Sequence, residues 1–226
     1  VAEALSRFGL LNLTLVDLDD ICLSNINRQA MAYHSTVGQL KTDALAKKLR
    51  DINPSLTLDL KNQFFNTKSL ETLLTPHFAL VIDCLDDIEN KLLLLSECKK
   101  RKINIITCGG SGGRLDPLQI KTSDLAFSTG DKLLYRLRKS LRKDYSFPRE
   151  SEVPFGIPCV YSIERTRYQR ENGDLCYSHP DPRKNSVCET RYGSAVFVTG
   201  SFGFHLAALA IQQLTQHHSL PQKDEA

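Results

Sequence analysis

A chain of 226 residues, 41% of them hydrophobic, can build one well-cored domain with a few long excursions, and we read 1–226 as a single domain. Its formal net charge of +3 is too small to imply a nucleic-acid partner by itself, so any polyanion site must rest on local charge. Seven scattered cysteines, odd in number and without a CxxC pair, argue against a disulfide framework and a paired-motif zinc site, and suit a reducing compartment, the cytoplasm.

No signal peptide and no apolar run long enough to span a bilayer is expected. The chain opens on Val1, and its only methionine is Met31. VAEALSRFG predicts a helix with Val1, Ala4, Leu5 and Phe8 on one side and Gly9 as its stop. In a nucleotide-binding α/β fold, a first strand and a glycine-rich phosphate loop precede such a helix. Neither stands in these residues, so the chain is expected to be a fragment or to lack its start. LNLTLVD, at about residues 11–17, predicts a strand. TVGQLKTDALAKKLRDINP predicts an amphipathic helix that buries Leu40, Ala44, Leu45, Leu49 and Ile52 and ends at Asn53-Pro54. LTLDL is a short strand and NTKSLETLLTP a helix. FALVIDC is a continuous apolar strand of the kind buried on both faces of a parallel sheet. IENKLLLLSECKKRK and INIITC are the next helix and strand. This alternation predicts a Rossmann-like, doubly wound α/β fold with a mainly parallel sheet.

The pattern then changes. CGGSGGRLDP, residues 108–117, is turn-forming, and LQIKTSDLA suits an antiparallel strand plus a crossing. KLLYRLRKSLRKDY predicts a basic helix with Leu133, Leu137 and Leu141 facing inward. Residues 144–195 make a loop-rich C-terminal extension. SAVFVTGSFGFHLAALAIQQLTQHH is an apolar strand or helix followed by a helix, and SLPQKDEA is a frayed tail.

Several residues stand where chemistry would need them. Asp17 closes an apolar strand, where an acid accepts hydrogen bonds from ribose hydroxyls; elsewhere such acids only cap helices. Asp19 follows. Arg28 can return from the loop as a planar fork for phosphate, and Lys41 stands near a helix start that already favours anions. Asp83 and Asp86 lie at the end of a buried strand, where a carboxylate could hold Mg²⁺ and where Asp86 or Asp87 could equally cap the next helix. Gly109, Gly110, Gly112 and Gly113 surround Ser111, where a substrate can approach backbone. Arg136, Arg138, Lys139, Arg142 and Lys143 form a ridge that is either a solvated face or a phosphate contact. Cys159, Cys176 and Cys188 show no activating neighbour in sequence, and His205 is expected in the core or an interface.

VDLDDICLSNINRQ, VGQLK (Val37 to Lys41) and DCLDD (Asp83 to Asp87) resemble the ThiF/MoeB/E1-like superfamily of adenylating enzymes. The resemblance implies ATP binding, with Asp17 on the ribose, Asn25, Arg28, Gln29 and Lys41 on the phosphates, and Asp86 on Mg²⁺. Asp19 matches another acid of the motif. The stretch from Thr107 to Tyr145, with PCVYSIE (Pro158 to Glu164) and TGSFGFH (Thr199 to His205), is similar to one branch, the TcdA/CsdL-like tRNA threonylcarbamoyladenosine dehydratases. That likeness covers nearly the whole chain. It implies a tRNA substrate whose threonine-derived carboxylate is adenylated and then attacked by its own carbamoyl group. It also implies a homodimer and admits a sulfur-transfer protein as partner. The basic helix would be the tRNA face. Two other functions stay open here: adenylation of a carrier protein's C-terminus, as in MoeB and ThiF, and a catalytically inactive scaffold.

Overall fold

Helix α1 (Ala2–Arg7) buries Leu5 and Ser6, and Gly9 follows its cap at φ +94°, a left-handed stop that glycine adopts without strain. Strand β1 (Asn12–Val16), helix α2 (Lys41–Ile52) and strand β2 (Thr57–Lys61) come next, with β1 and β2 parallel and Leu13 opposite Leu58, Leu15 opposite Leu60. These features belong to a computed structural model that describes residues 1–75, 77–169, 174–177 and 193–216.

Helix α2 is rotated from the sequence expectation. Its buried residues are Thr42, Ala46 and Leu49, whereas Leu40, Ala44, Leu45 and Ile52 are only half-buried. The stripe still has helical spacing, i, i+4, i+7. Its small Ala46 and the hydrogen-bonded Thr42 hydroxyl (2.7 Å to Asn62 Oδ1) let the helix sit close to β2, which apolarity alone does not signal. Helix α3 (Leu70–Leu73) is a single turn rather than the longer helix expected. Asn66 and Ser69 take up the local backbone groups with their side chains, which competes with helix extension.

The remaining elements are β3 (Val81–Asp83), α4 (Ile88–Arg101), β4 (Ile105–Cys108), β5 (Ile120–Asp124), α5 (Lys132–Asp144), β6 (Pro158–Ser162), β7 (Tyr168–Gln169), β8 (Leu175–Cys176) and α6 (Val196–Gln216). Strands β3, β4, β6 and β5 form one sheet in that order, parallel except that β5 runs antiparallel to β6, as LQIKTSDLA suggested. β1 and β2 form a separate two-stranded ladder, and β7 and β8 a small antiparallel pair. Alternation along the strands sends Ile105, Cys159 and Tyr161 toward α4 and α5, and Ile106 and Val160 toward α1 and α6. Helices thus cover both faces, as a doubly wound α/β sheet requires.

The C-terminal apolar stretch is one continuous helix, not a strand and a helix. Two further expectations need correction there. Val196–Thr215 is long and apolar enough to cross a membrane by length and composition, with a mean hydropathy of 1.2. No Asp, Glu, Lys or Arg interrupts it, only Thr, Ser, Gly, His and Gln. Its inner stripe, Val198, Phe202, Leu206, Ala207 and Ala210, packs on the sheet as a core helix does. His205 is exposed rather than in the core, its Nδ1 2.8 Å from the Ser201 carbonyl.

Candidate active site at the strand ends

β1 delivers Asp17 just past its last residue, where the Asp17 amide still donates to the Lys61 carbonyl (3.2 Å). The Asp19 amide donates to Asp17 Oδ1 at 2.8 Å, a short turn that points both acids to the same end of the strand. Lys41, the first residue of α2, closes the group. Its backbone amide donates to the Asp19 carbonyl (3.0 Å). Its Nζ lies 2.6 Å from Asp19 Oδ2 and 3.9 Å from Asp17 Oδ2. The lysine side chain is mostly buried while the two carboxylates stay open to solvent. The folded chain therefore brings Asp17, Asp19 and Lys41 into one charged cluster.

The next loop turns on Asn25. This residue is buried, and its Oδ1 accepts from the Cys22 amide (3.0 Å). Its oxygen is thus spent on shaping the turn. Arg28 Nη1 donates to the Ser24 carbonyl (2.8 Å) and to Asn27 Oδ1 (3.0 Å). The Gln29 amide donates to the Asn25 carbonyl (2.9 Å), and Gln29 Oε1 is a buried oxygen without a partner among the described residues. Asn27 Nδ2 donates to the Ser194 carbonyl (3.0 Å), pinning this loop to the approach of α6.

At the end of β3, two aspartates that look alike in sequence separate completely. Asp83 is fully buried and not available to a metal. Lys91 Nζ lies 2.8 Å from its Oδ2, Thr107 Oγ1 donates to the same oxygen at 2.6 Å, and the Leu85 amide donates to Oδ1 at 3.0 Å. Burial, the largest single influence, works against the Lys91 ammonium, but the facing and hydrogen-bonded Asp83 carboxylate together with the Cys108 and Cys84 thiols outweighs it and holds the lysine above its ordinary range. Asp87 caps α4, its carboxylate accepting from the Asn90 amide (2.8 Å). Asp86 is left exposed, with no hydrogen bond or ion pair among the described residues. Contacts join Asp17, Asp19 and Lys41, and others link Asn25, Arg28 and Gln29 within one turn. Asp86 stands on a separate loop.

Lys91 was missed in sequence, although its signal is there: it shares the helical stripe of Leu94, Leu95 and Cys98. Arg114 and Asp131 were also missed. Both are buried, with Arg114 Nη2 2.9 Å from Asp131 Oδ2. Arg114 Nη1 donates to the Gly110 carbonyl (2.5 Å), the Gly110 amide donates to Asp131 Oδ2 (3.1 Å), and Asp131 also caps α5 through the Leu134 amide (2.9 Å). A side chain at Gly109 would strike the Asp131 carboxylate, and one at Gly113 (φ +69°) would strike the Arg167 carbonyl. The glycines are thus required by packing as well as by any approaching ligand.

On α5, Leu133, Leu137 and Leu141 are buried as expected, with Leu134 beside them. The cations are not equivalent. Arg136, Lys139 and Lys143 project into solvent. Arg138 is not free: its Nη1 donates to Ser128 Oγ (2.5 Å), and burial, then the neighbouring Arg142, lowers its pKa. Arg142 donates from Nε to the Pro148 carbonyl (3.1 Å) and stacks 5.1 Å above the Phe155 ring. A groove of about 480 Å³ is lined by Tyr135, Arg138, Lys139, Arg142, Lys143 and Arg149. Cys159 is fully buried, which pushes its thiol up to about 12 and leaves it inert; Cys188 lies outside the described residues.

The tRNA threonylcarbamoyladenosine dehydratase of Haemophilus influenzae is 36% identical over 219 residues, which is 97% of this chain and 82% of that protein. The solved structure of TcdA (CsdL) aligns with a TM-score of 0.86 at 32% identity, covering 96% of this chain and 81% of that one. TcdA from Escherichia coli in complex with ATP gives a TM-score of 0.82 at 31% identity, with the same coverage. The E. coli molybdopterin-synthase adenylyltransferase is 32% identical over 106 residues only, 47% of this chain and 42% of that protein. The ThiF family matches residues 1–225, and on that whole-length match the chain belongs to the ThiF family.

Proposed function

We propose that this protein uses ATP to dehydrate N6-threonylcarbamoyladenosine in tRNA, cyclising it through an acyl-adenylate. The observation that carries the reading is likeness along the whole chain to proteins named for that reaction, one of them solved with ATP. The adenylyltransferase likeness covers only about half the chain.

The site residues fit a nucleotide. Gln29 Oε1 is a buried acceptor without a partner among the described residues, which a nucleotide's hydroxyl or amine donor could satisfy, leaving the amide Nε2 as the donor toward phosphate. Asp17 would take the ribose hydroxyls. Lys41 would move from Asp19 to the phosphates, where Arg28, Gln29 and the Asn25 turn also bear. Asp19 is then the residue that holds the lysine in place before ATP arrives. For Mg²⁺, Asp86 is the one carboxylate of its loop neither buried nor used as a cap. No cluster of three ligating side chains occurs among the described residues. That suits an ion bound by one or two carboxylates with the remaining positions on phosphate and water. Mg²⁺ bound there would neutralise charge on phosphate oxygens.

A carboxylate resists attack because its leaving group would be oxide; adenylation supplies a good leaving group. Lys41 and Arg28 stabilise charge on the phosphates as pyrophosphate departs. The nucleophile is the substrate's own carbamoyl group, so orientation replaces a covalent enzyme intermediate, and no catalytic thiol is called for. The groove beside α5, with Arg136, Lys139 and Lys143 on the exposed face, would hold tRNA phosphates, while Arg138 and Arg142 build its floor. We place the protein, one domain over 1–226, in the cytoplasm on the strength of its free cysteines. We propose that it works as a homodimer, for which the exposed Val196, Phe197 and Phe204 of α6 supply an apolar face, and that a sulfur-transfer protein is a further partner.

The test is to incubate the full-length protein with ATP and tRNA carrying or lacking the threonylcarbamoyl group, then weigh the nucleosides. Loss of one water from the modified base, only with ATP, is the expected result. No change in the nucleoside, with ATP consumed when a carrier protein's C-terminus is supplied, would replace this reading with carrier adenylation.

A further inference from the structure

The ends of β3 and β4 carry two sulfurs side by side. The register pairs Val81 with Ile105, Ile82 with Ile106 and Asp83 with Thr107; Cys84, just past the end of β3, and Cys108, the last residue of β4, are the residues that follow this last pair. Side chains alternate along a strand, so Cys84 shares the face of Ile82, and Cys108 that of Ile106. Neighbouring strands lie about 4.8 Å apart, inside the roughly 4.4–6.8 Å window of Cα separations that a disulfide spans. Each thiol is a neighbour that the other one feels, and Cys108 Sγ donates to the Asp83 carbonyl at 3.6 Å, beside the residue that precedes Cys84. Both are free cysteines, Cys84 an exposed residue and Cys108 a half-buried one, whereas Cys98 and Cys159 are buried residues.

We propose that Cys84 and Cys108 form a reversible disulfide that weakens nucleotide binding. The oxidant is a peroxide. The Cys84 thiolate attacks one peroxide oxygen and expels hydroxide, giving a sulfenic acid. The Cys108 thiol then attacks that sulfur and the sulfenic oxygen leaves as water. Two thiols lose two electrons and two protons, and hydrogen peroxide is reduced to two waters. A dithiol reverses the step by exchange. The bond would fix the backbone at Cys84, two positions before Asp86 and three before the cap of α4. This second half rests on the nucleotide site proposed above.

The full-length protein is treated with hydrogen peroxide, quenched, digested without reduction and mapped by mass spectrometry; ATP affinity is measured before, after and on return to dithiothreitol. A peptide linking Cys84 to Cys108, and ATP affinity about fivefold weaker or more and restored by reduction, are expected. Cys84→Ser and Cys108→Ser should each lose the linked peptide and the peroxide effect. Both thiols remaining reduced, or pairing elsewhere, would overturn the proposal. A linked peptide with unchanged ATP affinity would overturn its regulatory half. A reduced protein that binds no ATP would reject the nucleotide reading instead, while the peptide map still decides the bond.

Discussion

Replacing Lys91 by methionine would leave a carboxylate without its partner in the least forgiving place in this fold. Lys91 and Asp83 are both fully buried and 2.8 Å apart. Methionine has nearly the length of the lysine stem and fills its space, so the loss isolates charge rather than packing. Removing one member of a buried pair costs about 3–5 kcal/mol. Here Thr107 Oγ1 and the Leu85 amide still donate to Asp83, which argues for the lower end, about 3 kcal/mol. For a domain of this size that is a fall in Tm of roughly 6–12 °C. Adding Asp83→Asn removes the stranded charge and keeps an acceptor for Thr107, so the double variant should be more stable than Lys91→Met alone. The sign of the pH dependence follows from the raised pKa of Lys91. Its stabilisation is fully present below the unfolded lysine value, about 10.4, and is lost as pH rises through the higher folded value. On the alkaline side, the gap between wild type and Lys91→Met should therefore stay level from neutral pH upward and narrow in strong alkali. Urea melts across pH would measure all three quantities. A loss under about 1 kcal/mol, or a double variant no better than the single, would refute the reasoning.

Asp86→Ala should abolish ATP-dependent turnover with the melting curve unchanged, because the exposed carboxylate has no structural partner; normal turnover with normal Mg²⁺ dependence rejects its metal role. Arg28→Ala and Lys41→Ala should each weaken adenylation, read as ATP–pyrophosphate exchange, more than they weaken folding; wild-type exchange in both would make these surface charges. Arg136, Lys139 and Lys143 changed together to Gln should lower tRNA affinity and flatten its dependence on log salt by about 2 units, with ATP affinity unchanged; an identical salt slope places the RNA elsewhere. Cys98 and Cys159, both pushed by burial up to about 12, should resist iodoacetamide at pH 8 in the folded protein and react only after unfolding, by peptide mapping.

What could be read ahead of the structure divides by mechanism. Alternation of long apolar strands with amphipathic helices exposed the doubly wound class, because burial on two faces leaves a pattern in composition alone. Helix α5 was legible for the same reason, its leucines recurring every four residues. Positions decided by small or polar contacts were not. The buried face of α2 turns on Ala46 and Thr42, and the shortness of α3 turns on side-chain hydrogen bonds at Asn66 and Ser69. The order of hydrogen-bonded strands, which leaves β1 and β2 apart from the other four, depends on pairings distant in sequence. Within the candidate site, motif residues could be named, but their state could not. Asp83 and Asp86 differ by three positions and no chemistry, yet one lies in a buried pair because Lys91 reaches it. Likewise Arg138 and Arg142 look like their neighbours until Ser128, Pro148 and Phe155 close on them.

The buried ion pairs lie at the strand-end turns that carry the candidate site residues. Asp83 and Lys91 hold the turn that presents Asp86, since Lys91 Nζ also donates to the Leu85 carbonyl at 2.9 Å. Arg114 and Asp131 hold Gly110 from both its amide and its carbonyl while Asp131 caps α5. A third acid, Glu164, accepts from the Leu115 and Asp116 amides, fixing the far end of the glycine turn. Such pairs are weak contributors to stability compared with apolar residues of equal volume. Their use at two successive strand-end turns therefore needs another physical reason. A charged partner constrains direction as well as distance, which apolar packing does not. In a reaction whose nucleophile and electrophile both belong to the substrate, backbone held to a fraction of an ångström is the enzyme's main contribution beyond charge. The Asp131 carboxylate also joins the glycine turn to the start of the basic helix, through the Gly110 and Leu134 amides, so under the proposed function tRNA seated on α5 would be held in register with the candidate site at the strand ends.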